Sequence, residues 1–215
     1  MRLEVGALTG DRTMRRRRAA ILALILSFLI SLSYARVSVA SWYTGNRRDN
    51  SYGIKAWIYA PSSAPYLEKS GESNWVSTPS PNWVQAGWRY YKGWSAAKPY
   101  VEHCISGNYG LTEYGTQSWG TGVNYRVQYN GYSTWYAYIN DSNKGGWGPL
   151  SAPQQVLGYS EVHESSSNGL DTRFLSVYYR DSSYNWHLFD QGNWREDSPY
   201  AVQKDSYYYY RNYRP

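Results

Sequence analysis

One cysteine, Cys104, in 215 residues excludes an internal disulfide, so the fold must hold by packing. There is no cysteine cluster for a structural metal and no glycine-rich phosphate loop. The nucleophile elbow of the serine hydrolases is missing, because Gly158-Tyr159-Ser160-Glu161-Val162 lacks its second glycine. Leu, Glu and Lys are sparse, and no stretch beyond residue 40 carries a convincing amphipathic helical period. The longest apolar run, Ala19 to Leu32, is short for a membrane span and is broken by Ser27 and Ser31.

That run has another meaning. Arg15 to Arg18 precede it, and Ser33-Tyr34-Ala35 and Ser38-Val39-Ala40 follow it. A basic start, a short apolar core and small residues at the end form the pattern of a secretory signal peptide, with Met14 the expected start and a membrane anchor the alternative. The expected organisation is a signal peptide over 1–40, a turn-rich lead-in over 41–81 and a β-sandwich domain over 82–215. The expected location is outside the cell, with no stable membrane association after cleavage.

Removing residues 1–40 changes the electrostatics. The whole chain carries a formal +6, but those residues hold seven arginines and two acids, which leaves +1 on the remainder. The basic footprint of a nucleic-acid protein disappears with them. What stays is aromatic: 37 Tyr, Trp and Phe in 175 residues, mixed with Gly, Ser and Asn. Such a mixture favours strands joined by tight turns.

The strands follow from period-two alternation. Over Asn82–Tyr91, Trp83, Gln85, Gly87 and Arg89 share one face, while Val84, Ala86, Trp88 and Tyr90 share the other. Pro99–Ile105 is a second strand, closed by Ser106-Gly107-Asn108. Tyr125–Tyr129 and Thr134–Ile139 flank Asn130-Gly131, a hairpin signal. Gln155–His163, Thr172–Tyr179 and Trp186–Phe189 follow, with Ile54–Tyr59 the one strand expected in the lead-in. The tyrosine-rich tail from Tyr207 reads as an edge strand or an exposed end. Together these predict an all-β, antiparallel two-sheet sandwich of jelly-roll type.

Candidate chemistry lies in polar residues set inside aromatic strands: Gln85, Glu102 and Glu161. A carboxyl held against rings tends to stay protonated to higher pH, which suits acid–base work. His103, His163 and His187 show no recurring ligand spacing, so no metal or other cofactor is expected. Cys104 reads as a buried, inert thiol.

Trp83-Val84-Gln85-Ala86-Gly87-Trp88, Pro99-Tyr100-Val101-Glu102-His103 and Gln155 to Val162 resemble the strand series of the glutamic peptidases of the eqolisin type. The resemblance implies a concanavalin A-like sandwich, with Gln85 and Glu161 in the catalytic positions. Glu161 would be the general base towards water and Gln85 the oxyanion donor. Pro99 to Ile105 and Glu161 to Gly169 are also similar to the two catalytic strands of family 11 xylanases. That resemblance implies Glu102 as nucleophile and Glu161 as acid/base, with carboxyls about 5 Å apart. A third reading needs no acid pair: Trp83, Trp88, Tyr100, Trp135 and Tyr159 would bind carbohydrate or a surface by stacking. The expected partner is therefore an extracellular protein or polysaccharide, and not a nucleic acid.

Overall fold

The computed structural model describes residues 41–66, 71–79, 81–163 and 170–215. The expected signal segment lies outside them. Among the described residues the chain is entirely β, and no helix is long and apolar enough to cross a membrane.

The strands, numbered along the chain, form two antiparallel sheets. One has seven strands in the order β13 (Asn193–Glu196), β1 (Trp42–Ser51), β10 (Gln154–Val162), β3 (Gly71–Ser77), β4 (Trp83–Tyr91), β5 (Lys98–Ile105) and β6 (Asn108–Glu113). The other has eight: β14 (Ala201–Ser206), β15 (Tyr209–Tyr213), β11 (Asp171–Arg180), β2 (Gly53–Tyr59), β7 (Gly122–Tyr129), β8 (Trp135–Ile139) and β9 (Ser142–Trp147), with β12 (Trp186–Leu188) paired to β11.

Alternation decides what lies between the sheets. Val84, Ala86, Trp88 and Tyr90 of β4 face inward and meet Ile54 and Ile58 of β2, Val127 of β7 and Trp135 of β8. Apolar area removed from water on both inner faces is the main stabilising term in a chain without disulfides. Two of the expected ligand-stacking rings belong to this core. Trp88 and Trp135 are both 0% exposed, so neither can touch a ligand.

Residues 41–81 are no lead-in. They supply β1, β2 and β3, and β2 lies in the middle of the eight-stranded sheet. The tail is no edge either, because β15 runs between β14 and β11. Its inward residues tie the two sheets together. Tyr210 donates to the Gly158 carbonyl at 2.8 Å, and Asn212 Nδ2 donates to the Thr44 carbonyl at 2.8 Å and to Ser160 Oγ at 2.9 Å. Asn130-Gly131 begins a five-residue connection rather than a two-residue hairpin, since Tyr129 pairs with Trp135. Cys104 is half-buried on β5 and free.

Candidate active-site cleft

The outer face of the seven-stranded sheet carries the polar residues that alternation turned away from the core. Register sorts them into rows crossing the strands. Glu102 of β5, Gln85 of β4, Ser77 of β3 and Leu157 of β10 form one row. The next row is Tyr100, Gly87, Trp75 and Tyr159. The third is Lys98, Arg89, Ser73, Glu161 and Tyr43 of β1. A Cβ on Gly87 would meet the Asn74 carbonyl of β3 at 2.0 Å, so only glycine permits this approach of β3 to β4.

An open cleft of about 440 Å³ runs across these rows. Trp75, Leu157 and Tyr159 form its apolar floor, with Trp83, Gln85, Glu102, Tyr43, Glu161 and Arg195 around it. The Trp75 and Tyr159 rings pack at 5.7 Å.

Gln85 and Glu102 meet. Gln85 Nε2 donates to Glu102 Oε2 at 2.5 Å and to the Tyr100 hydroxyl at 3.0 Å. The other carboxylate oxygen of Glu102 accepts from the Tyr109 hydroxyl. Burial pushes the Glu102 carboxyl above the usual range, and the charge of Glu161 adds to the rise. The Tyr109 and Gln85 hydrogen bonds and the positive charge of Arg89 oppose it.

Glu161 lines the same cleft but stands apart from Gln85. The β10 residue level with Gln85 is Leu157, and Glu161 lies four positions further along. At about 3.4 Å per residue and 4.8 Å per strand, the two backbones are separated by roughly 13 Å along the strands and roughly 10 Å across them. Glu161 Oε1 instead accepts from the Tyr43 hydroxyl at 3.0 Å, and His163 Nδ1 lies 3.8 Å from it. Burial first, then the charge and hydrogen bond of Glu161, push Tyr43 up to about 12.

Of the expected stacking rings, Trp83 and Tyr159 line the cleft, and Tyr100 lies beneath Gln85 at 1% exposure. The histidines are dispersed. His103 stacks on Trp147 at 4.8 Å, His163 accompanies Glu161, and His187 pairs with Asp181 at 2.8 Å. Among the described residues no group of three ligating side chains could hold a metal ion.

Tyr43, Tyr109 and Arg195 carry no sequence motif. Tyr109 could nevertheless be found by counting. Ser106 and Gly107 both have positive φ and close a two-residue hairpin, so Tyr109 returns opposite Cys104, diagonal to Glu102.

The fold has known counterparts. Scytalido-glutamic peptidase, solved with a peptide-based transition-state analogue and also with a transition-state analogue inhibitor, superposes with a TM-score of 0.61 at 12% identity in both structures. The match covers 81% of this chain and 98% of that one. SCP-B, a member of the eqolisin family solved with the tripeptide Ala-Ile-His, gives 0.59 at 11% identity with the same coverages. This is the fold of the eqolisin-type peptidases. At such identity the likeness is one of fold alone. No protein-family model and no curated protein matches the sequence.

Proposed function

We propose that the protein is a secreted peptide hydrolase whose working pair is Gln85 and Glu102. The observation that carries the reading is the 2.5 Å contact from Gln85 Nε2 to Glu102 Oε2 in an open cleft. Support comes from the fold, which is shared with peptidases solved with peptide-like ligands.

In this reading Glu102, as carboxylate, takes a proton from a water that attacks the scissile carbonyl carbon. The Gln85 amide N–H donates to the developing oxyanion. Protonated Glu102 then gives its proton to the leaving amine as the C–N bond breaks. Its raised pKa suits the second half of this exchange. The floor of Trp75 and Tyr159 accepts apolar substrate side chains. Glu161, the base expected from the sequence, acts at a distance as a binding group.

The test is cleavage of a denatured protein, followed from pH 3 to pH 7. Glu102→Gln is expected to abolish it, and Gln85→Ala to slow it by roughly a hundredfold or more. Glu161→Gln should act mainly on KM. If Glu161→Gln abolishes cleavage while Glu102→Gln is harmless, the roles revert to the sequence-based assignment.

A second reading rests on Glu102 and Glu161 both lining one cleft. It makes them the acid pair of a glycoside hydrolase. Hydrolysis of a soluble glycan, lost equally in Glu102→Gln and Glu161→Gln, would favour it over the peptidase.

A further inference from the structure

The outer face of the eight-stranded sheet, on the opposite side of the sandwich from the cleft, is built from flat rings and cations. Trp186 lies over Gly53: a Cβ there would sit 3.1 Å from the ring's Cη2. Tyr136 lies over Gly146 and Tyr59 over Gly122, where a Cβ would come within 2.6 and 2.5 Å of the rings. All three rings are half-buried on this face. Trp57, 42% exposed, stands among them on β2.

Cations are threaded between these rings. Lys55 Nζ sits 4.6 Å from the Tyr178 ring centre and 4.7 Å from that of Trp186. The Arg126 guanidinium lies 4.0 Å over Tyr138, and that of Arg180 4.7 Å over Tyr184. Arg180 donates only to carbonyls, those of Tyr184 at 3.0 Å and Tyr129 at 2.8 Å, so its charge is not neutralised there. Among the described residues the one carboxylate paired on this stripe is Asp141, 3.2 Å from Arg126. Asp181, beyond the end of β11, is held by His187 and by the amides of its own turn. Register places Tyr178, Lys55, Arg126 and Tyr138 in one row across four adjacent strands, with Trp186 on the fifth, β12, two residues out of the row beside Arg180, a stripe on the order of 20 Å.

We propose that this face is a binding platform for an anionic polysaccharide, whose sugar rings stack on the exposed ring of Trp57 and against the half-buried ring of Trp186 while its carboxylate or sulfate groups pair with Lys55 and Arg180. Stacking needs flat apolar ring faces, and pairing needs cations whose charge is not already met. A nucleic acid would use the same elements, but the domain as a whole carries only +1 and lacks the broad positive field that phosphate backbones require.

The test is affinity electrophoresis of the purified protein in gels containing polygalacturonate, dextran sulfate or neutral dextran. Retardation is expected in one or both polyanion gels and not in neutral dextran. Which polyanion retards identifies the anionic group. Lys55→Gln and Trp57→Ala should each weaken it at least tenfold with unchanged urea midpoints, and should leave peptide cleavage intact. Glu102→Gln should leave retardation intact, which separates this surface from the cleft. Unaltered migration in both polyanion gels overturns the proposal, as does retardation that survives both platform variants. Binding of poly(dT) more than tenfold tighter than polygalacturonate assigns the face to nucleic acid instead.

Discussion

Replacing Gln85 by leucine isolates the interaction on which the proposed chemistry depends. The side chain is 7% exposed, and its Nε2 serves two acceptors, Glu102 Oε2 and the Tyr100 hydroxyl. Leucine preserves the volume and removes both donors. A hydrogen bond to a charged group contributes about 1.5–3 kcal/mol and a neutral one about 1, so the loss at pH 7 should be about 2.5–4 kcal/mol. The pH dependence carries the argument. Burial raises the Glu102 carboxyl, so the folded state favours its protonated form; the associated stability is complete below the unfolded carboxyl's value of about 4.3 and is lost as pH rises through the folded value. Without the Gln85 donor the ionised form is poorer still, and the variant must lose more stability over that window. At pH 3, with Glu102 neutral, both bonds are neutral and the difference should shrink to about 2 kcal/mol. Urea unfolding followed by tryptophan fluorescence, with a slope of roughly 2–3 kcal/mol/M, should give a midpoint shift of roughly 1.3 M at pH 7 and roughly 0.8 M at pH 3. An equal or larger shift at pH 3 would refute a charge-assisted Gln85–Glu102 bond.

Tyr109→Phe removes the second donor to Glu102, so the Glu102-dependent limb of the pH–activity profile should move to higher pH; a limb that stays in place excludes Tyr109 from tuning this group. Trp88→Ala and Trp135→Ala should cost about 3–5 kcal/mol in urea unfolding, as cavities in a packed core do, rather than weaken ligand binding selectively. Burial alone would raise the Glu113 carboxyl, but Lys98 and Arg89 hold it below the usual range. Its stability is therefore present above about pH 4.3 and is lost as pH falls through the depressed folded value. Glu113→Gln should cost no more than about 1 kcal/mol at pH 7, because all three groups are partly solvated, and the cost should fade on acidification in thermal melts.

The sequence by itself determined the fold class and the facing of its most regular strands. On β4 a strict alternation with an apolar set of Val84, Ala86, Trp88 and Tyr90 admits one orientation, since a slip of one residue would turn Gln85 and Arg89 in between the two sheets. The same pattern already set Trp88 with Val84 and Ala86; it is the ring type alone that suggested a ligand. The turn at Ser106-Gly107 likewise implied β6, and with it Tyr109 beside Glu102. Strands β1, β3 and β13 escaped the pattern because they are rich in polar residues. Ser160 donates to Asn74 Oδ1 and accepts from Asn212 Nδ2 within the sandwich, so polar side chains occupy inward positions. What only the tertiary structure decided is the company of Gln85. Its neighbour on β5 is Glu102, and its level on β10 is Leu157 rather than Glu161, because β3 pairs with both strands and transmits their register. That register joins segments more than seventy residues apart in the chain, and no local period records it. Two of the rings over glycines have the same origin: Tyr59 and Gly122, and Trp186 and Gly53, lie far apart in the chain and meet only through long-range pairing.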